Sequence, residues 1–289
     1  MNEEANPNPL NKRVLLAVLA HPDDETFGMG GTLALYARAG VRVHLVCATR
    51  GEAGEVAPEM LVGFSSIAER RVDELSCAAG ILGLAGVHFL DYRDSGMTGS
   101  VDNQHPEALC NAPVEEVAEK VAHWMRLLQP QVVLTFDPIG GYRHPDHIAV
   151  HRAAVQAFHL AGEAGFEDEL PPFQPHKLYL HVFPKRMLRL AVTLMPLFGV
   201  NPRRFGRNHD VDLLSLVREG DFPVHAQIDY REVAEQRLAA AACHASQLDG
   251  GPPNRGPLAW VWRRLGHTEQ FMRLYPPVQG KLREKDLFS

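Results

Sequence analysis

The chain has 289 residues, of which 45% are hydrophobic, enough for a sizeable core in one large α/β domain with or without a smaller appended unit. Its formal net charge of −6 argues against a nucleic-acid or membrane-surface role, because both require a basic face. Fifteen histidines are many for this length, and histidine is the commonest metal ligand and a frequent acid or base.

Strand-like and helix-like segments alternate along the first half of the chain. Continuous apolar runs rich in Val and Leu predict buried strands, and apolar residues spaced by three and four predict helices. The predicted elements, in chain order, are the strand Val14–Ala20, the helix Thr26–Ala39, the strand Val41–Ala48, the helix Ile67–Leu82, the strand Val87–Leu90, the helix Val114–Leu128, the strand Gln131–Phe136 and the helix Asp146–Ala161. This alternation predicts an α/β fold with a Rossmann-like, largely parallel sheet and helices on both faces.

The second half of the chain is less regular. Its apolar patterns predict strands at Lys177–Phe183 and Val224–Ile228 and a helix at Tyr230–Gln247. Residues 184–223 show no pattern from which a fold follows. We therefore divide the chain into a catalytic core, residues 13–175, and a C-terminal portion, residues 176–289. The C-terminal portion is expected to complete the sheet and to form the wall of the substrate pocket.

The N-terminus and the cysteines predict a cytoplasmic protein. The first residues, MNEEANPNPLNKR, are polar and lack the apolar core of a signal peptide. Cys47, Cys77, Cys110 and Cys243 are scattered without a C-x-x-C pair, so we interpret all four as reduced. The longest apolar stretch, Leu188–Val200, is interrupted by a charge and a proline and is too short to cross a bilayer.

Two predicted strands are followed by unusual clusters of acidic residues and histidines. The first cluster is HPDDE, residues 21–25, and the second is DPIGGYRHPDH, residues 137–147. Because the carboxyl ends of parallel strands lie at one edge of a sheet, where ligands bind, we expect the two clusters to meet. A helix start accounts for one acidic residue but poorly for three in a row. Solvated histidines at a helix start are the alternative for the second cluster.

A bound divalent cation explains this crowding. A catalytic zinc site has three protein ligands and an open position for water, and His21, Asp24 and His147 supply such a set. The ion would acidify a water molecule, and Asp23 would act as the general base. His144 would either protonate a leaving group or stabilise an oxyanion. Zn²⁺ is the predicted cofactor, although Fe²⁺ also accepts these ligands.

The motifs AHPDDE, residues 20–25, and HPDH, residues 144–147, resemble the LmbE/PIG-L family of zinc-dependent N-acetylglucosamine de-N-acetylases. Further patterns resemble the branch that deacetylates precursors of the thiol cofactors mycothiol and bacillithiol. These patterns are Cys47–Glu55, Arg71-x-x-Glu74-Leu75, Tyr92–Met97, Gly140-Gly141-Tyr142 and Thr268-Glu269. The resemblance covers about residues 13–160 well and the remainder loosely.

The resemblance implies a role for each matching residue. The zinc ligands would be His21, Asp24 and His147, the base Asp23, and the charge-stabilising acid His144. Arg71 and Asp94 would bind the sugar, and Tyr142 would be a mobile tyrosine at the reacting amide. Glu25 and Asp146 are expected to lie just outside the ligands and support them. Arg143 stands where the mycothiol branch usually has glycine, so it either meets an anionic aglycone such as malate or faces solvent.

Two other motifs could indicate different chemistry. The glycines in Phe27–Gly31 do not form a dinucleotide-binding fingerprint, and we interpret them as sites of close helix–sheet packing. The sequence CHASQ, residues 243–247, contains a cysteine and a histidine but lacks an identifiable third member of a catalytic triad. Packing or support of the site is therefore the favoured role for this segment.

The predicted function is metal-dependent hydrolysis of the N-acetyl group of an N-acetylglucosamine conjugate by attack of zinc-bound water. The aglycone would be inositol or malate. The alternatives are an amidase acting on a thiol conjugate, a deacetylase of another small N-acetylated compound and, more distantly, a non-catalytic sugar-binding module. The only predicted partner is this small molecule, without nucleic acid or membrane, and a homo-oligomer is left open.

Overall fold

The computed structural model describes residues 13–182, 189, 192–198, 200–204, 212–218, 221–248 and 266–289. The segment 184–223, for which the sequence predicts no fold, is described only in part. Within the part of the chain that is described, no helix is both long and apolar enough to cross a membrane.

A seven-stranded sheet forms the centre of the molecule. Its strands are β1 (Val14–Leu19), β2 (Arg42–Thr49), β3 (Gly86–Tyr92), β4 (Val132–Phe136), β5 (Lys177–Val182), β6 (Ala226–Asp229) and β7 (Thr268–Tyr275). They lie in the order β3-β2-β1-β4-β5-β7-β6. β1 to β5 are parallel, whereas β7 is antiparallel to β5 and β6. The predicted α/β fold with a largely parallel sheet is confirmed.

The described α-helices longer than four residues include two groups of mutually packed helices. They are α1 (Asp24–Arg38), α2 (Ile67–Leu82), α3 (Val114–Leu128), α4 (Pro145–Leu160), α5 (Leu213–Arg218) and α6 (Ala234–Cys243). α1, α2 and α6 contact one another, and α3 packs against α4. α2 shows why the sequence begins and ends a helix where it does. The Ser66 side chain accepts the N–H of Glu69 at its start, and Gly83 ends it with a φ of 78°.

β1 is the most buried strand, and its neighbours determine where a ligand can bind. All six of its residues are buried, as its continuous apolar sequence predicts. β1 pairs with β2 on one side and with β4 on the other, with Ala17 opposite Leu134. The order of the strands along the chain reverses between β1 and β4. This switch point is where ligands bind in open α/β sheets.

β7 is not predicted from the sequence, because a buried charge interrupts its apolar pattern. Glu269 is buried and accepts the backbone N–H of Gly31 at 3.0 Å and that of Thr32 at 2.7 Å. These N–H groups become available where α1 is interrupted at Met29, whose φ is −140°. Gly31 also packs closely against the Tyr230 ring, which a Cβ at this position would approach to 2.1 Å.

The interpretation of four reduced cysteines is wrong for one pair. Cys77 in α2 and Cys243 at the end of α6 form a disulfide, with their Cα atoms 5.9 Å apart. Cys47 and Cys110 are free. The two bonded residues are 166 positions apart, so no local spacing indicates the pair. Reduced cysteines therefore no longer support a cytoplasmic location, which stays a prediction. The domain division at residue 175 also stays a prediction.

Candidate active site

The candidate site lies at the carboxyl ends of β1 and β4. After β1 the segment 20–23 leads into α1, and after β4 the segment 137–144 leads into α4. The two sequence motifs therefore meet at one edge of the sheet, as expected for neighbouring parallel strands.

The turn before α4 depends on glycine. Gly140 and Gly141 have φ values of 66° and 65°, which residues with a Cβ adopt only at a cost. A Cβ on Gly140 would lie 2.9 Å from the Cβ of His147. The Asp137 carboxylate accepts the N–H of Gly141 at 2.9 Å and fixes the turn. The turn thereby brings the second histidine motif next to the first.

One nitrogen each of His21 and His147 and the carboxylate of Asp24 lie close together. Nε2 of His147 lies 3.3 Å from Nδ1 of His21 and 3.2 Å from Oδ1 of Asp24. Nδ1 of His21 lies 3.5 Å from Oδ2 of Asp24. Two atoms that bind one Zn²⁺ at about 2.0–2.1 Å in tetrahedral geometry lie roughly 3.4 Å apart. The spacing of the three side chains therefore fits a zinc ion.

Other buried side chains lie near the same point. His21, His144 and His147 present ligand atoms within 4.8 Å of one another, and so do His21, Asp94 and Asp146. Asp94 and Asp146, however, face Nε2 of His21, at 3.4 Å and 3.1 Å, rather than Nδ1. A histidine that binds a metal through one nitrogen usually donates the other N–H to a carboxylate. This geometry favours Nδ1 of His21 as its ligand atom and places Asp94 and Asp146 outside the ligand set.

Asp146 holds the His21 ring from the outside. Its side chain is fully buried, and its Oδ2 atom accepts the N–H of Ser95 at 2.9 Å while it faces Nε2 of His21. Its Oδ1 atom accepts the hydroxyl of Ser95. Asp146 therefore contacts the His21 ring, and its role as a supporting residue stays a prediction.

Carboxylates surround the His21 imidazole. Burial lowers its pKa, but Asp94, Asp146 and Asp24 together outweigh burial and hold the pKa of His21 well above its ordinary value. Burial raises the pKa of Asp24, but His147 and His21 outweigh it and hold that pKa well below its ordinary value. The site therefore favours positive charge between these groups, which is what the binding of a divalent cation requires.

Asp23 lies beside the candidate ligands and contacts Arg71. Nη2 of Arg71 donates to Oδ2 of Asp23 at 3.0 Å and to the carbonyl of Pro22 at 2.8 Å. The Asp23 backbone has φ 136° and ψ −28°, a conformation that is rare outside glycine. Burial raises the pKa of Asp23 to about 6, against the opposing charge of Arg71. A carboxyl group with a pKa near neutrality can accept a proton and later return it.

His144 and Tyr142 lie next to the candidate ligands. Nδ1 of His144 accepts the N–H of Asp146 at 3.2 Å, so the neutral ring carries its proton on Nε2. Burial, together with His21 and His147, holds the pKa of His144 well below its ordinary value. Burial also raises the pKa of Tyr142, whose ring centre lies 5.0 Å from that of His147. Of the two roles open for His144, oxyanion stabilisation by a neutral ring fits this geometry better.

Arg71 and Asp94, the predicted sugar contacts, are buried beside the site. Their exposed fractions are 4% and 3%. Besides Asp23, Arg71 binds the carbonyl of Gly51 at 3.1 Å, and it lies 3.9 Å from Asp94. The contact of either residue with a sugar stays a prediction. Arg143 is exposed, as expected if it faces solvent.

Two residues that position the site were not singled out from the sequence. Ser95 binds Asp146 through its N–H and hydroxyl, and the Glu52 side chain accepts the N–H of Asp94 at 3.1 Å. The only sequence signal for either was its place within a segment that resembles the family.

Known proteins are similar to this chain in sequence and in fold. The model of the PIG-L family, described as GlcNAc-PI de-N-acetylase, matches residues 16–158. A 1D-myo-inositol 2-acetamido-2-deoxy-alpha-D-glucopyranoside deacetylase from Thermomonospora curvata is 38% identical, over 96% of this chain and 96% of its own length. The protein of the same name from Streptomyces avermitilis is 35% identical, over 97% and 98%. The N,N'-diacetylchitobiose deacetylase structure from Pyrococcus horikoshii has a similar fold, with a TM-score of 0.61 and 22% identity over 93% of this chain and 86% of that one.

Proposed function

This chain belongs to the PIG-L family, and on that premise we propose that it removes the acetyl group from N-acetylglucosamine joined to inositol. The products are acetate and the free amine of the sugar. One observation on this chain itself supports the proposal. Nε2 of His147 lies 3.3 Å from Nδ1 of His21 and 3.2 Å from Oδ1 of Asp24, and this group lies at the switch point of the sheet, next to Asp23.

The three converging side chains would hold a divalent metal ion, with Zn²⁺ as the first candidate and Fe²⁺ as the second. When bound, such an ion polarises the acetyl carbonyl and lowers the pKa of the attacking water. Asp146 keeps Nδ1 of His21 directed at this position, because it holds the opposite nitrogen of the ring.

Asp23 is the proposed general base. Arg71 occupies its Oδ2 atom, which leaves Oδ1 to take a proton from the water as the water attacks the acetyl carbon. As the C–N bond breaks, the protonated carboxyl group returns that proton to the leaving nitrogen. One side chain thus serves both proton transfers, as a carboxyl group with a pKa near neutrality allows.

His144 and Tyr142 are proposed to stabilise the negative charge on the acetyl oxygen. Both would act as neutral donors, His144 through its Nε2–H and Tyr142 through its hydroxyl. Donors fixed in place before the reaction are worth about 10²–10³ in turnover each at comparable sites. Arg71 and Asp94 stay candidates for contact with the sugar hydroxyls, and residues 176–289 for the wall around the aglycone.

Measurement of acetate release from the inositol and malate conjugates of N-acetylglucosamine, with zinc-loaded protein, tests this function. We expect release from both and a higher kcat/KM for the inositol conjugate. A higher kcat/KM for the malate conjugate would assign the aglycone to malate instead. If neither conjugate releases acetate while an S-blocked thiol conjugate is cleaved, the amidase alternative replaces this proposal.

A further inference from the structure

A chain of buried hydrogen bonds connects Asp23 to the C-terminal portion through Glu25. Glu25 is fully buried, and its Oε2 atom accepts the backbone N–H of Asp23 at 2.9 Å. Its Oε1 atom accepts the hydroxyl of Thr26 and faces Nε2 of His244 at 2.7 Å. His244 is itself fully buried and lies 219 residues from Glu25 in the chain.

The backbone of Asp23 needs such restraint. A φ of 136° is rare for a residue with a side chain, and a conformation of this kind costs about 1–3 kcal/mol unless the surroundings hold it. Arg71 holds one side of this residue through the Pro22 carbonyl and the Asp23 carboxylate. Glu25 holds the other side through the N–H. Loss of either restraint would let the base rotate away from the reacting water.

His244 is in turn fixed by its neighbours in sequence. Cys243 is joined to Cys77 of α2 by the disulfide. Ser246 donates its N–H at 2.9 Å and its hydroxyl at 2.6 Å to the Glu74 carboxylate, also on α2. The segment that carries His244 is thus attached to α2 on both sides, which leaves the ring in one position against Glu25.

The bond between His244 and Glu25 has the character of an ion pair. Burial lowers the pKa of His244, but the hydrogen bond and charge of Glu25 outweigh burial and raise it above its ordinary value. Hydrogen bonds to charged partners are shorter and stronger than neutral ones. A histidine that only filled space would not require such a bond to the carboxylate that holds Asp23.

We propose that His244 is a positioning residue for the catalytic base, which holds the backbone of Asp23 in its reactive conformation through Glu25. This inference rests on the proposed function in one respect, namely that Asp23 is the base. This proposal gives the CHASQ segment, residues 243–247, a specific supporting role.

A matched pair of variants tests the proposal by kinetics. His244→Asn and His244→Gln both carry an amide, but only glutamine places its nitrogen where Nε2 of the imidazole lies. We expect kcat to fall about 10–100-fold in His244→Asn, with KM and zinc content within about twofold of wild type, and most of the loss to be restored in His244→Gln. His44→Asn, a change at a buried histidine near the amino end of β2 that bonds His88, should leave kcat unchanged. An unchanged kcat in His244→Asn, or an equal loss in both amides, would overturn the proposal.

Hydrogen exchange of the backbone amides gives a readout that does not need activity. In His244→Asn the peptide covering residues 21–27 should exchange faster than in wild type, whereas His244→Gln should restore slow exchange. If wild-type protein with full zinc releases no acetate from any N-acetyl sugar, the proposed function fails while this measurement still decides the hydrogen-bond chain. Exchange of that peptide at the wild-type rate in His244→Asn would show that His244 does not hold Asp23.

Discussion

Replacement of Asp23 by asparagine separates proton transfer from metal binding. The amide has the size of the carboxylate, and its oxygen can still accept the Arg71 donor that lies 3.0 Å from Oδ2 in wild type. The remaining position becomes an NH₂ group, which cannot take a proton from water. Removal of a positioned base costs about 10²–10⁴ in rate. That loss corresponds to roughly 3–5 kcal/mol of barrier.

The assay for Asp23→Asn combines the initial rate of acetate release with the zinc content of the purified protein. Zinc content should stay at the wild-type value, because the converging ligand atoms belong to His21, Asp24 and His147. Asp91→Asn is the matched control, since the Asp91 side chain is 67% exposed and pairs only with Arg50 among its described ion pairs. A turnover within tenfold of wild type, or loss of zinc, would refute the assignment of Asp23 as base rather than ligand.

Four further outcomes can be measured. His21→Ala should lose zinc as well as activity, because two ligands remain, so full zinc occupancy in that variant would show the ligand set to be wrong. Arg126→Leu should lower the free energy of unfolding by about 3–5 kcal/mol in urea titrations. The reason is that the buried guanidinium donates to four backbone carbonyls, those of Ala161, Glu163, Phe166 and Leu170. A loss below about 1 kcal/mol would contradict this. Reduction of the Cys77–Cys243 disulfide should lower Tm. A closed loop of this length raises the free energy of the unfolded chain by about 5 kcal/mol in the chain-entropy treatment, and reduction removes that effect. An unchanged Tm with both thiols alkylated would argue against this. Burial and His88 lower the pKa of His44 to about 4, so the folded protein binds fewer protons than the unfolded chain below pH 6.5. The free energy of unfolding should therefore fall from pH 6.5 toward pH 4, and it should fall less in His44→Asn. Equal pH profiles for the two proteins would contradict that cause.

The site was predictable where local pattern and the rules of parallel sheets suffice. The apolar runs of β1 and β4 identify two buried strands, and each is followed directly by its acidic and histidine motif. Right-handed crossovers and a common carboxyl edge then bring the motifs together without knowledge of any side-chain contact. The alternation of strands and helices specifies the parallel part of the sheet for the same reason.

Features that depend on contacts between distant residues were not predictable. Glu269 makes β7 look unlike a buried strand, because its charge is stabilised by two N–H groups of α1 more than 200 positions earlier. The disulfide joins residues 166 positions apart, and nothing near Cys77 or Cys243 distinguishes them from the free cysteines. Asp23 lies 48 positions from Arg71, so the sequence could indicate that this arginine belongs to the site but not that it holds Asp23.

Both parts of the chain, residues 13–175 and 176–289, contribute residues to the site or to its support. Every proposed metal ligand, and the base itself, comes from residues 13–175. Two buried residues from 176–289 fix α1. Glu269 accepts two N–H groups where α1 is interrupted, and His244 contacts Glu25 in its first turn. Metal affinity should therefore depend chiefly on the first part, and the position of Asp23 relative to the metal should depend on both. Substitutions at His244 or Glu269 should consequently lower turnover more than they lower zinc content, whereas substitutions at His21 or His147 should lower both together.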